Sequence, residues 1–372
     1  MPYFVPLGIP DYSGNQERDF FQFTYDIEDN DAVEMLMQIR NGSTVWYEEK
    51  ITDKDKLTQG EHTWKWDGFD CDGIFDSAKL TKAKSLNFYA IGKDKEGCTD
   101  RHSIDFEANY EEVEWVDVKI NKNTKRIDVT LRVNLKDGGA EGIECTEQIV
   151  APDPIIIKEC PWDKIPEKDL IPNRPPIKKR NEKNDFEALK QLALDGIEKY
   201  WQRNSTNIGK GVYVNKELYE VFINCKYDAE GMVAPEIIYF TNSENTTFNR
   251  SHNWFASRKL YYKEGYIKRR KWDYQKSSDA ILDFQETSAH EIGHQLLVEL
   301  DGKYHSYTHK GTSHPSVILQ DPVKGTKYPS HGEEIDLMKY ADDYLPSDYF
   351  QRVVLSEKDL LGLVWLTKLE LE

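Results

Sequence analysis

Apolar and polar side chains alternate in several short stretches of the first third of the chain, and this pattern predicts β-strands. Residues 20–25 read FFQFTY, and residues 86–91 read LNFYAI with the two-residue period of a half-buried strand. Between them, residues 64–73 read WKWDGFDCDG, in which two Asp/Gly turns flank aromatic residues. Together these features predict a β-sandwich over residues 1–110.

A second alternating pattern predicts a β-hairpin. Apolar residues occupy every second position over residues 116–120 and again over residues 127–135, with an NKNT turn between them. An Asp-Gly-Gly triplet then ends the pattern. Residues 137–183 contain seven of the fifteen prolines, which predicts an extended connection. Residues 111–183 are therefore predicted to form a hairpin followed by a Pro-rich connecting segment.

The apolar period changes to that of helices in the last half of the chain. One helical face is predicted from Phe186, Leu189, Ala193, Ile197 and Tyr200. Short strands are predicted at 211–224 and 237–240. A second helix follows, capped by residues 277–279 and ended by Asp301-Gly302. Its apolar face consists of Ala289, Ile292, Leu296 and Leu300. Residues 184–372 are predicted to form one α+β domain.

Composition and charge exclude some classes of function. The 372 residues include 66 acidic and 49 basic side chains, a net charge of −17, which argues against a nucleic-acid partner. No apolar run approaches the roughly 18 residues of a membrane helix, so no membrane span is predicted. The N-terminus has no basic segment followed by an apolar core, and we expect a chain made in the cytoplasm without a cleaved signal peptide.

Candidate chemistry lies in residues 290–294, which read HEIGH. His290 and His294 are four residues apart, so both imidazoles leave the same face of the predicted helix and can bind one zinc ion. Glu291 is placed to take a proton from a water molecule at that ion. The five cysteines have no C-x-x-C pairing, which argues against structural zinc held by thiolates.

A catalytic zinc ion usually has three protein ligands, so one further ligand is required. The metzincin spacing does not supply it, because the position ten residues after His290 is Leu300. Composition leaves several later residues open as the third ligand: His305, His309, His314, His331, Glu333 and Glu334.

Three stretches resemble the zincin toxin domain of type VI secretion effectors, which is often fused to VgrG-type spike proteins. They are residues 290–297 (HEIGHQLL), 307–313 (YTHKGTS) and 328–340 (YPSHGEEIDLMKY), and the resemblance covers roughly residues 110–372. In addition, the W-x-W-D-G-x-D-x-x-G run at 64–73 resembles a bacterial Ig-like module.

The resemblance implies a fold and a set of site residues. The fold is α+β, with an Ig-like β-sandwich followed by a zincin-like metallopeptidase domain built around the HExxH helix. The third zinc ligand is a glutamate: alignment on IDLM selects Glu334, and alignment on the preceding glycine selects Glu333. Met338 would lie beneath the zinc ion. Tyr340 and His309 are the candidates for a hydrogen bond to a developing oxyanion.

The resemblance also implies a function, namely that of a zinc metallopeptidase that serves as an antibacterial type VI secretion effector. We expect Zn²⁺ as cofactor and hydrolysis of peptide bonds in the periplasm of target cells. The implied partners are a protein or peptide substrate, a cognate immunity protein, and a secretion spike or chaperone for loading. Two alternatives stay open: a zinc hydrolase of peptidoglycan stem peptides, and a non-enzymatic Ig-like binding protein.

Overall fold

The structure is a computed structural model that describes residues 3–150, 155–159, 184–240, 250–254, 257–263, 265–268, 271–274, 276–315 and 320–371. It has about 23% helix and 40% strand in several sheets, which confirms the α+β class. Among the described residues, no helix is long and apolar enough to cross a membrane.

The elements follow one another in chain order. The first part contains β1 (Phe21–Ile27), β2 (Ala32–Asn41), β3 (Thr44–Ile51), β4 (Gly60–Trp66), β5 (Ile74–Asp76), α1 (Ser77–Thr81), β6 (Leu86–Asp94), β7 (Thr99–Phe106), β8 (Ala108–Tyr110), β9 (Val116–Asn121), β10 (Arg126–Val150) and β11 (Ile155–Glu159). The second part contains α2 (Asn184–Trp201), β12 (Val212–Val214), β13 (Glu217–Tyr227), β14 (Met232–Phe240), β15 (His252–Trp254), β16 (Ser257–Lys263), β17 (Gly265–Lys268), β18 (Lys271–Tyr274), α3 (Ser277–Glu299), α4 (Lys303–Tyr307), β19 (Ile335–Asp336), α5 (Tyr349–Arg352), β20 (Val353–Val354), α6 (Glu357–Trp365) and β21 (Leu369–Leu371).

The chain divides into two compact units that differ from the three predicted segments. One unit comprises Met1–Val129, Gly211–Phe222 and Glu357–Glu372, and the other comprises Thr130–Lys210 and Ile223–Ser356. Two short segments from late in the chain therefore belong to the N-terminal unit. Strand pairing explains part of this division, because β21 pairs with β8.

Two antiparallel sheets form the centre of the first unit. β1 pairs with β4, while β3, β2, β6 and β7 lie side by side in that order. Aromatic side chains pack between the two sheets: the Phe23 ring lies 4.6 Å from the Phe88 ring, and the Trp64 ring lies 5.3 Å from Phe88. The predicted strands at 20–25 and 86–91 are confirmed, with alternating burial along both.

The predicted hairpin is confirmed, but its second strand is longer than expected. β9 pairs with β10, and the Asn121 side chain accepts hydrogen bonds from the backbone N–H groups of Asn123 and Thr124 in the turn. β10 continues through the Asp-Gly-Gly triplet, where a Cβ atom at Gly138 would lie 2.8 Å from Ile238. Glycine therefore permits close strand packing at a position where we expected the strand to end. Most of the Pro-rich segment lies outside the described residues.

A mixed sheet and two long helices build the second unit. β14 lies between β10 and β16 and runs parallel to both, and β15 pairs antiparallel with β16 as the last described strand on that side. The edge-to-face contact between Tyr262 of β16 and Phe284 of α3 packs the helix on this sheet. α3 therefore has one face fixed against the sheet, next to the edge strand β15.

The two long helices pack closely through a glycine. A Cβ atom at Gly196 of α2 would lie 2.2 Å from the carbonyl oxygen of Gln285 in α3, so only glycine allows this approach. The Trp201 indole then donates a hydrogen bond to the Ala289 carbonyl across the same contact. The predicted apolar face of α3 is confirmed, since each of its four residues is at most 1% exposed. This packing fixes the rotation of α3 and therefore the direction of its polar face.

Candidate metal centre

Helix α3 presents Glu291 and His294 to a cleft, with His290 one helical turn before His294. The two imidazole centroids are 4.8 Å apart, as the separation of one helical turn requires. The His290 imidazole and the Glu291 side chain are buried, and His294 is largely buried. Asn253 of β15 donates a hydrogen bond of 2.7 Å to the Glu291 carbonyl oxygen, which ties the helix to the edge strand.

The chain reverses directly after α3 and returns to these histidines. Asp301 adopts a left-handed conformation with φ of 58°, and Gly302 N–H donates to the Leu297 carbonyl in a Schellman motif. The short helix α4 follows. His309 and Lys310 are also left-handed, with φ of 45° and 57°, although neither is glycine. Such backbone is costly for side chains with a Cβ, and it occurs here where the chain turns towards α3.

This reversal places a third imidazole beside the first two. The ligand atoms of His290, His294 and His309 all lie within 4.8 Å of one another, and all three residues are buried. The His309 ring is 5.2 Å from the His290 ring and 4.9 Å from the His294 ring. Among the described residues, this is the cluster of three ligand side chains that could hold a metal ion.

Each imidazole is oriented by a hydrogen bond at Nδ1. The partners are the Leu337 carbonyl for His290, the Ser306 hydroxyl for His294 and the Ser313 hydroxyl for His309, at 2.7, 3.0 and 2.7 Å. Nε2 is then the atom left for a metal ion. Nε2 of His290 and of His309 are buried without a hydrogen-bond partner among the described residues. Buried polar atoms without a partner are costly, and a metal ion would satisfy both.

Burial keeps the three imidazoles in the neutral form that binds metal. Burial lowers the pKa of His290 to about 4. Burial also lowers the pKa values of His294 and His309, and the nearby imidazole of His290 lowers both of them further. Burial raises the pKa of Glu291 to about 8. A cation held by the imidazoles would favour the ionised carboxylate. The donor set therefore fits a divalent metal that prefers nitrogen ligands.

The structure brings His309, and not Glu334, to the two helix histidines. Glu334 instead accepts two hydrogen bonds, of 2.9 and 2.8 Å, from the buried guanidinium of Arg203. Glu333 accepts a hydrogen bond from the Ser330 N–H, and its neighbour His331 is exposed. Glu334, the ligand that the resemblance implies, thus lies in an ion pair with Arg203. His309, which was expected to donate to an oxyanion, is instead the third imidazole of the cluster.

The segment around Met338 lies beneath the cluster. Met338 is fully buried, and a Cβ atom at Gly293 would lie 2.5 Å from its sulfur. The Tyr340 ring stacks on His309 at 3.7 Å, and its hydroxyl accepts a hydrogen bond of 2.7 Å from Arg250. Met338 thus packs against the HEIGH segment, and Tyr340 packs against the ring of His309. Position 293 in HEIGH must be glycine because Met338 packs directly against it.

The two serines that orient His294 and His309 were not among the predicted site residues. Ser313 ends the YTHKGTS stretch, but nothing in the sequence pairs its hydroxyl, or that of Ser306, with a particular histidine. We predict that Ser313→Ala will lower the zinc affinity about 10- to 100-fold, because His309 loses the partner that fixes its ring. Competition with a metal-binding dye measures this. Ser278→Ala, an exposed serine at the start of α3, is the matched control and should bind zinc as the wild type does. Equal affinities for both variants would contradict the prediction.

Comparison with known proteins supplies no relative for this site. No protein-family model matches the chain, and neither a curated protein nor a solved structure matches it. The zincin and Ig-like assignments therefore stay predictions from the motif residues. The geometry itself shows three buried imidazoles close enough to bind one metal ion, beside a buried carboxylate.

Proposed function

We propose that this chain is a zinc-dependent metallopeptidase with His290, His294 and His309 as the metal ligands. The observation that carries the proposal is the convergence of three neutral imidazoles next to Glu291 at an open cleft. Three protein ligands with a free fourth position are typical of catalytic zinc sites. When bound, zinc would polarise a carbonyl group and increase the acidity of water at the site.

Glu291 is the proposed general base. Its carboxylate takes a proton from water as the water oxygen attacks the carbonyl carbon of the peptide. It then returns that proton to the amide nitrogen as the carbon–nitrogen bond breaks. The hydrogen bond from Asn253 to the Glu291 carbonyl fixes this part of the helix. One carboxylate can therefore serve both proton transfers without a large movement.

Tyr340 is the proposed donor to the oxyanion that develops on the peptide carbonyl. Burial raises the pKa of Tyr340 to about 12, so the phenol keeps its proton near neutral pH. Arg250 donates to the phenolic oxygen, and this contact leaves the phenolic hydrogen free to bind another acceptor. His309 takes the role of metal ligand instead of the oxyanion role.

The position of β15 favours a peptide as the substrate. β15 is the last described strand on its side of the sheet, and its residues line the same cleft as Glu291 and His294. An extended peptide can add to such an edge through main-chain hydrogen bonds. The type VI effector role and action in the periplasm of target cells rest on the motif resemblance and belong to the same proposal.

Removal of the metal tests the proposed function. We expect protein purified without chelator to contain about one zinc per chain and to hydrolyse peptides in a degenerate mixture, detected by mass spectrometry. Dialysis against a chelator should abolish cleavage, and added zinc should restore it. Circular dichroism before and after dialysis shows whether the metal-free chain stays folded. Full cleavage by folded, metal-free protein would overturn the proposal.

A further inference from the structure

The cleft beside the metal cluster contains one permanently cationic side chain. Among the described residues that line it, Arg250 is the one Arg or Lys, and Glu291 is the one acidic residue. The charge of Arg250 therefore faces the site without a second cation, in a chain whose net charge is −17. Among the described side chains that line this cleft, Arg250 is therefore the one cationic partner for an acidic substrate group.

Arg250 is held in place at the mouth of the cleft. Its Nη2 donates to the Tyr340 hydroxyl at 2.7 Å, and the guanidinium carbon lies 5.4 Å from the centre of that ring. The side chain is exposed, and the hydrogen bond to Tyr340 uses one of its five N–H donors. The guanidinium is thus oriented by the protein while donors on its other side face solvent.

The cleft also has aromatic lining residues. Trp254 and Tyr307 line it, and Trp254 stacks on His252 at 4.3 Å. The segment from Arg250 to Trp254, which ends in β15, spans at most about 14 Å, or four residues of an extended peptide. A peptide lying along it would have both a cation and aromatic rings within reach.

We propose that Arg250 binds a carboxylate of the peptide substrate within about four residues of the bond that is cleaved. A planar guanidinium recognises a carboxylate through two parallel hydrogen bonds, which an amide cannot match. The overall charge of the chain repels acidic peptides, so a preference for them must come from a local cation. The inference rests on the proposed peptidase function and names its substrate class.

Matched peptides provide the test. In one set, a single Glu is moved position by position through an otherwise neutral peptide, and each member is compared with its Gln counterpart. In a second set, a free C-terminal carboxylate is compared with an amidated C-terminus. We measure kcat and KM for zinc-loaded wild type. Fluorescence anisotropy measures peptide binding to zinc-loaded Glu291→Gln protein, which provides a readout independent of turnover.

We expect wild type to prefer the carboxylate at one position about tenfold over its neutral counterpart, mainly through KM, as one charge-assisted pair allows. A preference in the Glu/Gln set identifies a side-chain carboxylate, and a preference in the second set identifies the C-terminal carboxylate. Arg250→Gln should reduce the ratio of kcat/KM for the carboxylate peptide to that for its neutral counterpart to about one. Arg250→Lys should retain part of it. Tyr340→Phe should lower kcat for all peptides and keep most of the preference for the carboxylate, because the cation remains although it loses one hydrogen-bond acceptor.

Arg101→Gln is the matched control, because it removes an exposed cation on β7 in the other unit. It should leave both the ratio and the activity unchanged. Equal cleavage and equal binding of carboxylate and neutral peptides by wild type would overturn this inference and leave the peptidase proposal intact. If no peptide is cleaved or bound, the peptidase proposal and this inference both fail.

Discussion

His309→Ala is expected to release the bound zinc. The variant keeps two imidazoles on α3 and loses the third, so the affinity should fall more than the roughly 100-fold that loss of an orienting partner can cost. Glu334→Gln should retain zinc, because that carboxylate binds Arg203 instead. Zinc is measured by mass spectrometry after gel filtration and by competition with a chelating dye.

His305→Ala is the control for the His309 experiment. His305 is exposed and lies four residues earlier, in α4, so its loss removes an imidazole from the same local segment. Circular dichroism establishes that each variant is folded. If Glu334→Gln loses zinc while His309→Ala retains it, the ligand set described here is wrong and the glutamate implied by the resemblance is right.

Glu291→Gln is expected to lower kcat by about 10²- to 10⁴-fold while one zinc per chain remains bound. The amide has nearly the same shape as the carboxylate but cannot accept the proton of the attacking water. Glu291 is not part of the metal cluster, so its substitution leaves the three ligands in place. The rate is measured on a peptide that the wild type cleaves.

Glu299→Gln provides the comparison for this experiment. It makes the same chemical change in the last turn of α3, where Gln295 donates to the carboxylate. We expect wild-type rates from it. Wild-type turnover by zinc-loaded Glu291→Gln protein would exclude Glu291 as the base and would require another proton acceptor in the cleft.

Local patterns allowed part of the site to be predicted from sequence. The spacing of His290 and His294 depends only on the helical period, and the apolar face of α3 follows from the same period. Both features are contained within one element. The helix begins at Ser277 and ends at Glu299, close to the predicted caps, although Lys276 precedes it without a side-chain capping bond.

The third imidazole could not be predicted in the same way. Its position depends on left-handed backbone at Asp301, His309 and Lys310, residues that rarely adopt it. The choice of Glu334 followed a motif, and the motif did not reveal that Arg203 pairs with it from 131 positions earlier. The pairing of β8 with β21 has no local sequence signal for a similar reason, since the two strands are far apart in sequence.

Lys310 shows how this loop is kept in place. Its ammonium group donates to Asp336 at 2.7 Å and to Ser356 at 3.0 Å, and Asp336 also accepts from the Met338 N–H. The residue after His309 is therefore bound to the segment that carries Met338 and Tyr340. These contacts offset the cost of left-handed backbone at His309 and Lys310.

The ligand cluster lies entirely within residues 290–309, and this compactness has a consequence for the order of folding. Bringing His309 to His294 closes a loop of 15 residues, whereas Glu334 would close one of 40, at an extra entropic cost of about 0.9 kcal/mol. Contacts between residues close in sequence form early, because little chain must be ordered first. Closing this short loop therefore orders little chain, while the contacts that hold the loop, from Lys310 to Asp336 and Ser356, come from residues later in the chain.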